Sequence, residues 1–131
     1  MSGCVCVQSD PDGLWDPIEL EVEGAKLSSG HIITVDKIQS DFNFTLKSSN
    51  YKRLWITEIS VDSLRIKEME NIPMIADTMS LECEWGNVVY IPSLISITLK
   101  PNDTSKTRII DFGLECGDAF SYVRILQKGN F

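Results

Sequence analysis

Histidine is almost absent from this sequence: His31 is the single one among 131 residues. No HExxH or GxSxG motif accompanies it, so the base that a catalytic triad or a zinc hydrolase requires has no local partner. A structural or surface role is expected for His31. Cysteine is scarce too, with Cys4, Cys6, Cys83 and Cys116 and no CxxC spacing, since the one close pair is Cys4-Val5-Cys6. Zinc ribbons and redox motifs place two residues between their thiolates, and neither is expected. Basic residues are outnumbered, 12 Lys and Arg against 19 Asp and Glu, giving a formal charge of −7. Phosphate neutralisation needs a clustered basic face, so nucleic acid is not an expected partner. No apolar run approaches the roughly 20 residues that cross a bilayer as a helix. Asp10, Asp12, Asp16 and Glu21 imitate a calcium loop only faintly, because Leu14 and Trp15 stand where that loop needs a ligand and a glycine. No metal and no cofactor is expected.

What the chain does have is alternation. Its 43% hydrophobic residues are enough for one buried core. Ile18, Leu20 and Val22 alternate with Glu19, Glu21 and Glu23, and Phe42, Phe44 and Leu46 with polar neighbours. Met79, Leu81, Cys83 and Trp85 alternate with Ser80, Glu82 and Glu84, and after a turn expected at Gly86-Asn87 comes 88–91. The last third, 95–127, holds three such runs, with Ile95 and Ile97, then Ile110, Phe112, Leu114 and Cys116, then Val123 and Ile125. Period two marks strands with one wet and one buried face, and these closing runs predict a β-meander. In the run 51–61 both faces carry apolar groups, so the period alone does not say which is buried. The segment 62–77 has no clean period and predicts a loop or short strand with one helical turn. Seven to nine strands and no amphipathic helix of about ten residues predict an all-β sandwich, a small barrel being the other form this pattern allows.

The N-terminus, Met1-Ser2-Gly3-Cys4, is similar to the end of a bacterial lipobox, in which small residues precede a cysteine that becomes lipidated. Residues 1–14 are read as this lipobox-like start and a turn-rich linker, and 15–131 as the single domain. Lipidation at Cys4 predicts an envelope protein whose membrane contact is its lipid anchor; if Met1 is the true start, a cytoplasmic location is expected instead. Cys83 and Cys116 both fall on apolar faces. Two buried thiols are the expectation, and a Cys83–Cys116 disulfide is the alternative in an oxidising compartment.

No catalytic residue is assigned. Glu19, Glu21, Glu82 and Glu84 take the solvent side of their strands, where no purposeful acid pair is expected. The residues suited to binding are aromatic, because sugar rings present apolar C–H faces that match exposed Trp and Tyr rings. Of Trp15, Tyr51, Trp55, Trp85, Tyr90 and Tyr122, the alternation puts Trp85 in the core and turns Tyr122 outward. Trp15, Tyr51 and Tyr122 are the candidate glycan contacts.

One resemblance can be drawn from the order of short motifs. Ile95-x-Ile97, Pro101-Asn102-Asp103-Thr104, Arg108-Ile109-Ile110, Gly117-Asp118-Ala119-Phe120 and Val123-x-Ile125-x-Gln127 together resemble the C-terminal half of BACON-type immunoglobulin-like domains. Trp15-Asp16-Pro17 and Asn50 with Trp55-Ile56 are similar to the earlier parts of that family. The family's Ser-Gly-Gly-type turn is reduced to Ser28-Ser29-Gly30, and 62–78 is longer than a minimal domain needs. The resemblance implies an immunoglobulin-like sandwich, exported and often lipid-anchored, that serves polysaccharide acquisition as a carbohydrate-binding or spacer module. A polysaccharide or a surface protein of a glycan-uptake system is then the expected partner. A structural or protein-interaction role without glycan binding is the alternative.

Overall fold

The structure is a computed structural model and describes residues 16–66, 78–91, 94–116 and 119–129. Eleven strands form among these residues. They are β1 (Leu20–Glu23), β2 (Leu27–Ser28), β3 (Ile32–Val35), β4 (Phe42–Ser48), β5 (Trp55–Val61), β6 (Leu64–Arg65), β7 (Met79–Cys83), β8 (Gly86–Ile91), β9 (Leu94–Leu99), β10 (Arg108–Cys116) and β11 (Ala119–Gln127). They build a five-stranded sheet in the order β1-β4-β9-β8-β7 and a six-stranded sheet in the order β2-β3-β11-β10-β5-β6. All pairs are antiparallel except β3 with β11.

Taken across the sheets, β1, β4, β9 and β8 reproduce the A-B-E-D order of an immunoglobulin domain, and β11, β10 and β5 its G-F-C order. The chain is an immunoglobulin-like β-sandwich. Its two inner faces share one core. Phe44, Leu46, Val88, Ile95, Ile97 and Leu99 from the first sheet meet Ile33, Ile59, Ile110, Phe112, Val123 and Ile125 from the second, all essentially closed to solvent. Each such side chain contributes on the order of 1.5–3 kcal/mol by leaving water. Trp85 is also in this core, 4% exposed, and stacks edge-on against Phe112 with ring centroids 6.4 Å apart and planes at 87°.

Three expectations need correction, and one point that the alternation leaves open is resolved. The closing runs are not one meander, because β9 belongs to the five-stranded sheet while β10 and β11 form a hairpin in the other. Alternation reports one buried face but not the neighbour a strand pairs with, and the link 100–107 is long enough to cross between sheets about 10 Å apart. The β7–β8 turn consists of Glu84 and Trp85, since Cys83 pairs with Gly86. Burial of the Trp85 indole draws the turn back from Gly86-Asn87. The undecided faces of 51–61 are explained by a bulge: Glu58 pairs with Gly113 but Ile56 with Leu114, leaving Thr57 as the extra residue. The phase flips there, so Ile56 and Ile59, three apart, both point inward.

The third correction concerns the cysteines. Cys83 keeps its thiol and is half-buried, whereas Cys116 is disulfide-bonded. A Cys83–Cys116 bridge is not formed, and the reason is distance. Cys83 ends β7 at the pole where Arg108 pairs with Gln127, while Cys116 lies at the far end of the same β10–β11 ladder. That is more than about 20 Å at strand rise, against the roughly 4–7 Å between Cα atoms that a disulfide spans. In the segment 62–77, Asp62 and Ser63 form a left-handed turn (φ 51° and 72°) into β6. The rest of that expectation falls on 67–77, outside the described residues.

Candidate functional site

Two poles of the sandwich carry distinct chemistry. At one, the motif residues that supported the family resemblance converge. Gln127, fully buried, donates from Nε2 to the Lys100 carbonyl at 2.6 Å and accepts from the Arg108 guanidinium at 3.1 Å. Asn102, 5% exposed, donates from Nδ2 to the carbonyls of Lys106 and Gln127 and accepts at Oδ1 from the Thr104 amide and hydroxyl. Every hydrogen-bonding position of the Asn102 amide is used. This network fastens the 100–107 crossover to the last strand, so these residues are architectural.

The same holds for the polar corner that follows β4. Asn50 accepts from the Glu19 amide at 3.0 Å and donates to the Pro17 carbonyl at 2.9 Å, while the Ser48 hydroxyl accepts from the Tyr51 amide. Tyr51 itself is 6% exposed and donates its hydroxyl to the Asp16 carbonyl at 2.5 Å. As a glycan contact Tyr51 is therefore corrected: its ring lies in the core and presents no face to a ligand. Tyr51→Phe is expected to cost about 1 kcal/mol in urea unfolding through that one hydrogen bond, with no effect on any surface binding.

Tyr122 is placed otherwise. On β11 the even positions face outward, which leaves Phe120 69% and Tyr122 56% exposed. The strand registers of β5, β10 and β11 set out the whole patch. Trp55, Glu115 and Phe120 stand in one row across the sheet, and Glu58, Gly113 and Tyr122 in the next. Neighbouring strands are about 4.8 Å apart, so the backbone positions of Trp55, Phe120 and Tyr122 span roughly 7 by 10 Å. A Cβ on Gly113 would come within 2.5 Å of the Thr57 hydroxyl, so the glycine makes room for the bulged Thr57 beside the rings. The Arg53 guanidinium sits 6.0 Å from the Trp55 ring centroid.

Charged pairs border this surface. Arg65 meets Glu58 at 2.7 Å, and Arg124 holds Asp111 through two bonds of 2.8 and 3.1 Å. The hydrogen bond and the charge of Asp111 raise the Arg124 pKa above its ordinary value, so the guanidinium stays ionised at every relevant pH. His31, in a left-handed conformation (φ 58°), sets its Nδ1 3.0 Å from both the Tyr122 carbonyl and the Ser121 hydroxyl. It joins β3 to the back of this strand, which is the structural role expected.

Of the candidate glycan contacts, the structure places Tyr122 on this surface and Tyr51 in the core, while Trp15 and the lipidation candidate Cys4 lie outside the described residues. Phe120 was missed, although the signal was present: it is two residues before Tyr122 in an alternating strand and so shares its face. Trp55 joins it there because the bulge reverses the phase of β5. Among the described residues no group of three or more His, Cys, Asp and Glu side chains is arranged to hold a metal ion.

No family model matches the chain, and no curated protein does. Among solved structures the chain is similar to a protein from Bacteroides thetaiotaomicron determined by NMR, with a TM-score of 0.71 at 21% identity, covering 95% of this chain and 98% of that one. Weaker likenesses are to a chimeric titin Z1Z2 carrying a decorin peptide (TM-score 0.48, 7% identity, 84% and 98% covered) and to titin domain M7 (TM-score 0.45, 9% identity, 87% and 96% covered). At such identities the likeness concerns the fold alone.

Proposed function

We propose that this immunoglobulin-like domain is a non-enzymatic carbohydrate-binding module of the bacterial cell envelope, and that it holds polysaccharide on the Trp55, Phe120 and Tyr122 surface. One observation carries the reading: two large rings more than half exposed stand side by side, with a third across the sheet, around a hydroxyl and bordered by carboxylates and guanidinium groups. Exposed rings of this size gain by covering apolar C–H faces, and the polar border supplies partners for sugar hydroxyls. The disulfide at Cys116 fits export, since such bonds persist in oxidising compartments. A lipid anchor at Cys4, and descent from the BACON-type domains whose Asn102, Arg108 and Gln127 positions form the network above, belong to the same proposal.

Affinity electrophoresis through gels containing single polysaccharides tests it. The protein is expected to be retarded by at least one, and a Phe120→Ser/Tyr122→Ser variant to bind at least about tenfold more weakly, equivalent to losing roughly 1.4 kcal/mol of contact. Because both rings are exposed, the unfolding midpoint of the variant should stay close to that of the parent. Retention by no polysaccharide, with the fold intact, would sink the binding role.

A second reading rests on a different surface. Val89, Ile91 and Leu94 are 41%, 55% and 40% exposed on the β8–β9 hairpin of the five-stranded sheet. An apolar strip of this kind suits a protein partner, and a structural surface role without glycan contact would use it.

A further inference from the structure

Three acidic side chains stand on the outer face of β5 and β10, those of Glu58, Asp111 and Glu115. Two of them are neutralised within the domain: Arg65 holds Glu58 at 2.7 Å, and Arg124 holds Asp111 at 2.8 Å. Glu115 is different. It is half-buried, yet among the described residues it has no ion pair and no hydrogen bond. Its register puts it at the middle of the aromatic row, paired with Trp55 on β5 and with Phe120 on β11. Directly opposed residues share a face and hold their Cβ atoms about 4.5–5.5 Å apart, so the carboxylate rises between the two rings. Tyr122 is its diagonal neighbour on β11. The Arg53 guanidinium lies against the Trp55 ring, at the β5 end of the row.

A carboxylate in this position sorts ligands by charge. A uronate or sulfated sugar laid on the rings would bring its own negative group against Glu115, on a chain whose net charge is already −7. A neutral sugar offers Glu115 a hydroxyl donor. A protonated amino group does more, because a hydrogen bond between two ionised groups is roughly twice as strong as a neutral one and the negative ring faces attract the same cation. On the carbohydrate reading given above, on which this step depends, we propose that Glu115 is the specificity-determining residue of the aromatic surface. The ligand class is then a polysaccharide of amino sugars with free amino groups. The apolar face of a sugar ring lies on the aromatic side chains, and its ammonium donates to the Glu115 carboxylate.

Calorimetric titration with two hexasaccharides tests the assignment, one of β-linked glucosamine and one of β-linked N-acetylglucosamine, at a mildly acidic pH that keeps the amino groups protonated. The two share length and linkage and differ in carrying an ammonium or an acetamide. The protein is expected to bind the glucosamine hexamer at least about tenfold more tightly. Glu115→Gln should bring the two affinities to within about twofold of each other and leave that for the acetylated hexamer near its parent value. Glu82→Gln removes one charge from an exposed position on the other sheet, and should keep the full preference. Equal binding of the two hexamers, a preference that survives Glu115→Gln, or a preference lost equally in Glu82→Gln would overturn the role of Glu115. If neither hexamer binds while another polysaccharide is retained and released by Phe120→Ser/Tyr122→Ser, the amino-sugar assignment fails and the aromatic surface stands. Retention by no polysaccharide at all removes both.

Discussion

Gly86→Ala is expected to cost at least about 3–5 kcal/mol, a large share of the 5–15 kcal/mol by which a domain of this size is stable. Gly86 opens β8 at φ 151° and pairs with Cys83 on one side and Leu99 on the other. A Cβ there would lie 1.9 Å from the Thr98 carbonyl oxygen and 3.0 Å from the Leu99 Cα, both backbone atoms that no side-chain rotation can move. Relief requires β8 to part from β9, the middle strand of the five-stranded sheet, whose Ile95, Ile97 and Leu99 are fully buried. Gly30→Ala is the matched comparison. Gly30 is also left-handed, at φ 81°, but its Cβ would meet only the Ile32 Cδ1 at 3.9 Å. Backbone conformation alone then sets the cost, about 1 kcal/mol. Urea unfolding of the pair separates steric exclusion from conformational preference, and equal losses in the two variants would refute the packing described for β8.

Asn102→Ala should cost about 3 kcal/mol. It removes four hydrogen bonds at a position 5% exposed and leaves the Gln127 carbonyl without its side-chain donor in the interior. Asn102→Asp should be about as damaging, because it keeps the acceptor for Thr104 but turns an oxygen toward the Lys106 and Gln127 carbonyls. Equilibrium unfolding gives both values. Losses under about 1 kcal/mol would mean that the crossover is held by other contacts.

The strands themselves were legible, since hydrophobic period survives wherever one face is wet. The places where reading failed share a cause: each depends on a contact distant in sequence. The Thr57 bulge answers Gly113 on another strand, and the position of the β7–β8 turn answers the Phe112 ring that receives Trp85. Tyr51 looks like a surface aromatic in a polar turn until its hydroxyl finds Asp16, 35 residues earlier. Pairing of β9 with β4 and β8, in place of β10, is likewise invisible to alternation. Function was less legible still. The motifs that carry the family resemblance are structural ties, whereas Phe120, the most exposed ring of the candidate surface, is absent from the candidate contacts because phenylalanine usually signals core.

The most direct measurement of the central claim is backbone-amide chemical-shift mapping of the protein with whichever polysaccharide retards it. Binding on the aromatic surface predicts that the largest changes fall on Trp55 to Glu58, Gly113 to Glu115 and Phe120 to Tyr122, in rows that follow the strand registers. Changes centred on Val89, Ile91 and Leu94, with those rows unmoved, would contradict it.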